Sequence, residues 1–120
     1  MSVVVRRRGA TTLQGLPPEI LLVPLPGHTP GHSAVAVRAD RHWLLHCGDS
    51  YLFHGELDDP PRAHLAVEPI QRGAQIDLET RHGGLRWLRT LRRDHAAEVE
   101  SFCAHDPWEY ARLANPTLDP

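Results

Sequence analysis

The segment Leu25-Pro26-Gly27-His28-Thr29-Pro30-Gly31-His32-Ser33 is the stretch best equipped for chemistry. Its prolines fix φ and its glycines admit backbone paths closed to other residues, so a histidine on this loop is held in place before any ligand arrives. His28 is thereby a candidate metal ligand or substrate contact, set against a plain turn with a solvent-exposed histidine. A second segment, Leu44-Leu45-His46-Cys47-Gly48-Asp49-Ser50, ends an apolar strand in Gly-Asp. A carboxylate there sits where α/β folds commonly build sites, and one Asp can bridge two cations through its two oxygens. A third, Phe102-Cys103-Ala104-His105-Asp106-Pro107, again runs a strand into a histidine. Singly, each also reads as a turn or a helix cap; in this order, the three together are far more specific.

The elements that must carry these residues follow from hydrophobic spacing. Ile20–Leu25, Ser33–Val37 and His42–Cys47 are short apolar stretches bounded by Gly, Pro or Asp, which predicts three β-strands. The cluster Leu57-Asp58-Asp59-Pro60-Pro61 predicts a loop. Leu85, Leu88 and Leu91 then recur every third residue, with Arg86, Arg89, Arg92 and Arg93 around the other side, which predicts an amphipathic helix over Leu78–His95. Gly83 and Gly84 each cost about 1 kcal/mol relative to Ala inside a helix, which predicts irregular first turns. Val99–Ala104 reads as a fourth strand and Pro107–Leu113 as a terminal helix, with Asp106 as its cap and Pro107 at its first position. Strand, strand, strand, helix, strand, helix is the order of a mixed α/β layer.

The chain has 120 residues, which bounds it to one domain with a modest core. Its 13 basic residues are all Arg, and with 15 acidic ones they give a net charge of -2 without a long basic stripe, so nucleic acid is not an expected partner. Cys47 and Cys103 are too few for a disulfide framework, which points to a reducing cytoplasm. No apolar run approaches a membrane span or a signal peptide, so neither membrane nor export is expected. Nine histidines exceed ordinary usage and turn attention to metal, although most single histidines are unremarkable.

Pro-Gly-His-Thr-Pro-Gly, then Gly-Asp after an apolar strand, then a strand ending in His-Asp, resembles the second half of the metallo-β-lactamase superfamily, which includes glyoxalase II-like thioesterases and quorum-quenching lactonases. The resemblance runs from about Gly15 to Leu113. It implies an α/β fold that is half of an αββα sandwich, a mixed sheet with helices on one face, forming a single partial domain over 1–120 with an atypical or poorly ordered 1–14. It makes His28 the third histidine of the first metal site, Asp49 the bridging and catalytic carboxylate, and His105 a ligand of the second metal, with His32 a supporting neighbour. The implied cofactor is zinc, or another divalent metal such as iron or manganese. A hydroxide held between two metals would attack the carbonyl of an ester, thioester, lactone or lactam.

The departure from the family is equally informative. Its His-x-His-x-Asp-His motif, which supplies most ligands, is missing, and the first 27 residues hold neither His nor Asp. His28 and Asp49 would remain for one metal, and Asp49 and His105 for the other, too few for tight binding. Cys47, Cys103, His46 and His54 are the nearest substitutes in sequence, yet each cysteine lies two residues before a proposed ligand on one strand face, where a small buried side chain is usual. A lone half would bare an apolar sheet face, which predicts a homodimer, a separate N-terminal half as partner, or poor solubility. Trp43, Trp87 and Trp108 are expected core or interface anchors. A non-catalytic binding module, or a homodimer that assembles a metal site from two copies, are the rival readings. His54, Arg62 and His64, in the segment 52–75, carry no readable substrate code.

Overall fold

The computed structural model describes residues 5–6, 8–58, 60–62 and 78–114. Along Leu21–Leu25 and Ser33–Val37 buried and part-exposed residues alternate, the period of a strand with one covered face. Strands β1 (Thr11–Thr12), β2 (Ile20–Pro24), β3 (Ser33–Ala39), β4 (His42–His46) and β5 (Val99–Phe102) form one sheet in that spatial order. The first three pairings are antiparallel and β4 with β5 is parallel, so the sheet is mixed. Asp40, in the two-residue turn between β3 and β4, takes a positive φ of 57°, as a tight hairpin demands.

Register assigns the two faces. Ala36 pairs with Leu45 and Leu45 with Ser101, which, with Leu21, Val23, Ala34, Trp43 and Val99, form the covered face. Helix α1 (Leu78–Asp94) lays Leu85, Leu88 and Leu91 into this core, all three buried. The predicted irregularity at Gly83 and Gly84 does not occur, and the helix is continuous. The reason lies in packing: a Cβ on Gly84 would meet Leu25 Cδ1 at 3.1 Å, so the bare glycine lets the helix settle onto the end of β2. The opposite face carries Leu22, Val35, Leu44 and Phe102, all part-exposed, and Val37, 39% exposed.

A 3-10 turn at His54–Leu57 and helix α2 (Pro107–Ala114) complete the described elements. Pro107 opens α2, and Asp106 caps it by accepting from the Trp108 and Glu109 amides at 2.8 and 3.2 Å. Of the three tryptophans, Trp43 lies in the core and Trp87 packs against it, whereas Trp108 is 73% exposed and anchors no part of the core. Thr11–Thr12 pairs with Leu21–Leu22 and is an edge strand of the sheet. The fold is the expected α/β arrangement, a mixed sheet with a helix on one face. His64 lies outside the described residues.

Candidate metal centre

Strand direction decides where the chemistry gathers. β2 is antiparallel to β3 and β3 to β4, so β2, β4 and β5 all run the same way and present their carboxyl ends at one end of the sheet. His28 follows β2, Asp49 follows β4 and His105 follows β5, each within four residues of the strand's last. The Asp49 carboxylate lies between the two histidines: His105 Nε2 is 2.6 Å from Oδ1, and His28 Nε2 is 3.6 Å from Oδ2. Both imidazoles therefore present the same ring nitrogen to different oxygens of one carboxylate. His28 Nδ1 is buried and has no hydrogen-bond partner among the described residues.

Two glycines let the loops take up this arrangement. Gly27 adopts a φ of 141°, and a Cβ there would sit 2.4 Å from Arg81 Cα, so the loop before His28 lies directly on the backbone of α1. Gly48 adopts a φ of 57°, and its Cβ would lie 2.8 Å from His32 Nε2. His32 fills that space, with Nδ1 2.8 Å from the Leu25 carbonyl and Nε2 accepting the Asp49 N–H at 3.0 Å.

Imidazole nitrogen and carboxylate oxygen are the donor types that zinc, iron and manganese take. In donor chemistry the three side chains fit such an ion; in number they fall short. Among the described residues no three His, Cys, Asp or Glu side chains form a group that could hold a metal ion. The four substitutes suggested by sequence are engaged elsewhere. Cys47 and Cys103 are free and buried in the core, as their strand positions predict. His46 Nδ1 accepts the Gly48 N–H, and His54 Nδ1 lies 2.7 Å from Asp106 Oδ2.

No protein-family model matches the chain. It is similar to a probable metallo-hydrolase of Mycobacterium tuberculosis and to another of Mycobacterium bovis, 35% identical to each over 108 residues, 90% of this chain. It spans about a third of the length of these relatives, 34%. Among solved structures it resembles an N-acyl homoserine lactone hydrolase with the product N-hexanoyl-L-homoserine bound at its catalytic metal center. That likeness has a TM-score of 0.57 at 17% identity and covers 84% of this chain and 35% of that one. It also resembles AidC, a dizinc quorum-quenching lactonase, with a TM-score of 0.55 at 18% identity over 82% of this chain and 29% of that one. Over 84% of its length the chain has the metallo-β-lactamase-type fold of these lactonases.

A buried network that sequence reasoning missed braces the end of β5. Glu109, buried, receives the Tyr51 hydroxyl at 2.8 Å, the Cys103 amide at 3.0 Å and Arg92 Nη2 at 3.3 Å. Burial, then the nearby Cys47 and Glu109, pushes the Tyr51 hydroxyl far above its ordinary range and keeps it a donor. Burial likewise raises the Cys103 thiol to about 12, and Cys47 well above its usual value. Burial alone would raise Asp106, but the backbone and ring of His54 and the two capped amides outweigh it and hold the carboxyl below its usual value. The one sequence signal for this network was Asp106 as a cap; Tyr51 and Glu109 stand 58 residues apart and share no motif.

Proposed function

We propose that the chain is one part of a metal-dependent hydrolase acting on the carbonyl of an ester, thioester or lactone. His28, Asp49 and His105 are its metal-binding side chains, and Asp49 stands between two metal positions. The observation that carries this reading is the Asp49 carboxylate, whose two oxygens face His28 and His105 separately. The similarity to probable metallo-hydrolases and to lactonases of the same fold supports the reaction class. A bound divalent metal, zinc or alternatively iron or manganese, would lower the pKa of water and polarise a carbonyl oxygen. The chain's own contribution is to hold two imidazoles and one carboxylate in register at the ends of three strands. The remaining ligands come from a segment bearing His-x-His-x-Asp-His, absent from this sequence, so the chain by itself is not competent. The same segment, as an N-terminal half, would cover the part-exposed sheet face.

Zinc titration by calorimetry tests the assignment. Wild type is expected to bind zinc weakly, and His28→Ala, Asp49→Ala and His105→Ala each to abolish that binding. Wild-type binding untouched by all three substitutions, or no binding at millimolar zinc, would sink it. With lactones and thioesters as substrates, turnover is expected only once the missing segment is added.

A further inference from the structure

We infer that Glu109 is a positioning residue: through its carboxylate, α2 clasps the Asp49 loop to the His105 loop and sets the distance between these two side chains, whereas His28 is seated by α1. The carboxylate reaches both loops at once. The Tyr51 hydroxyl, two residues past Asp49, donates to it at 2.8 Å, and the Cys103 amide, two residues before His105, donates to it at 3.0 Å. Tyr51 is fully buried and Glu109 is 3% exposed, so a partner removed from this junction leaves a buried polar group unmatched. A second stitch lies three residues further along each segment, where Asp106 accepts from the His54 amide and lies 2.7 Å from His54 Nδ1. Asp106 caps α2 and Glu109 stands in its first turn, and the other Asp106 oxygen accepts the Glu109 amide at 3.2 Å. The helix terminus thereby holds the two stitches at a fixed spacing.

The clasp acts where the sheet no longer does. The β4–β5 register ends at His46 and Phe102, and the main chain then adds a bond from the Cys47 amide to the Phe102 oxygen and one from the Ala104 amide to the Gly48 oxygen. Asp49 and His105 lie beyond both bonds, yet Asp49 Oδ1 and His105 Nε2 come within 2.6 Å. His28 is held in another way, because Gly27 before it lies directly on the Arg81 backbone of α1. His32 of the same loop accepts the Asp49 amide, so Asp49 stays with the His28 loop when the clasp is cut, and His105 is the side chain that departs. The consequence for metal rests on the reading of Asp49 and His105 as ligands; the clasp itself does not.

Proton NMR on the metal-free chain reads the clasp directly. Wild type is expected to show an NOE from the His105 ring to the Asp49 β-protons and another between the His28 and His32 rings, whose centroids are 5.8 Å apart. Tyr51→Phe, which removes the hydroxyl and keeps the ring in the core, is expected to lose the first NOE and keep the second. Glu109→Gln, which still offers an acceptor to Cys103 and a donor to the Tyr51 oxygen, is expected to keep both. Leu88→Ala, a cavity in the core away from these loops, is expected to keep both as well. A first NOE missing in wild type, unchanged in Tyr51→Phe, or lost equally in Leu88→Ala overturns the inference, and so does loss of both NOEs in Tyr51→Phe, the mark of general loosening. In zinc titration Tyr51→Phe is expected to bind about tenfold or more weakly than wild type, the scale at which partners of metal ligands act, with Glu109→Gln and folded Leu88→Ala within about threefold. Equal affinity in Tyr51→Phe and wild type overturns the positioning role. If wild type takes up no zinc, the metal assignment falls while the two NOEs still decide the clasp.

Discussion

A single carboxylate flanked by two imidazoles is the feature on which the proposed function rests, and the residues behind these three side chains set their geometry. Gly48 is the most sensitive position. Its φ of 57° disfavours any Cβ, and the added carbon would press on His32 at 2.8 Å. Gly48→Ala is expected to lower stability by about 1–3 kcal/mol, read as a shift in urea midpoint. Gly31 lies on the neighbouring loop with nothing within 4 Å of its Cβ position and no positive φ, so Gly31→Ala is expected to stay within about 0.5 kcal/mol of wild type. Equal effects at the two glycines would contradict the structure. The thiols make a second residue-scale prediction. Cys47 and Cys103 are buried and their pKa values raised, so neither should react with iodoacetamide in the folded chain at pH 8, whereas both should react in urea. Rapid labelling of the native chain, read by mass spectrometry, would contradict the burial of the two thiols.

Elements are tied together in this fold by buried polar groups as well as by apolar contact. Glu109 on α2 collects the Tyr51 hydroxyl, the Cys103 amide and Arg92 of α1, joining the two helices and the ends of β4 and β5. Glu109→Ala removes the shared acceptor and leaves these donors unmatched, at an expected cost of about 3–5 kcal/mol in denaturant unfolding. Glu109→Gln keeps the shape and one acceptor and is expected to cost less. The apolar counterpart is Leu88, fully buried where α1 meets the sheet, and Leu88→Ala is expected to cost about 2–5 kcal/mol. If Glu109→Ala were neutral beside a damaging Leu88→Ala, the network would be a passenger of the packing.

At the scale of the whole molecule, the sheet is covered on one face by α1 and carries a row of part-exposed apolar residues on the other: Leu22, Val35, Val37, Leu44 and Phe102. Apolar surface of this kind associates. The chain alone is expected to sediment as concentration-dependent oligomers, and Val37→Lys, a charge placed in the centre of that face, to shift the distribution towards monomer. Monomeric wild type at high concentration would remove the ground for this expectation. Among the described residues no helix is long and apolar enough to cross a membrane.

Much of this architecture was legible from local pattern. The short apolar stretches Ile20–Leu25 and Ser33–Val37 bounded by Gly, Pro or Asp, the spacing of three among Leu85, Leu88 and Leu91, and the Asp106-Pro107 cap are local signals, and local signals determine local structure. That His28, Asp49 and His105 each follow the end of a strand was legible for the same reason, since each stands in a short motif after an apolar run. Thr11–Thr12 was not, because two residues are too few to show a period. The continuity of α1 through Gly83 and Gly84 was not either, because propensity gave way to the fit of a bare glycine against Leu25. Only the tertiary structure decided that His28 and His105 face different oxygens of Asp49, that both nitrogens of His32 are taken by the main chain, and that Tyr51 meets Glu109 across 58 positions. The physical reason is common to all three: strand direction and pairing choose which distant side chains share one end of the sheet, and no local window contains that information.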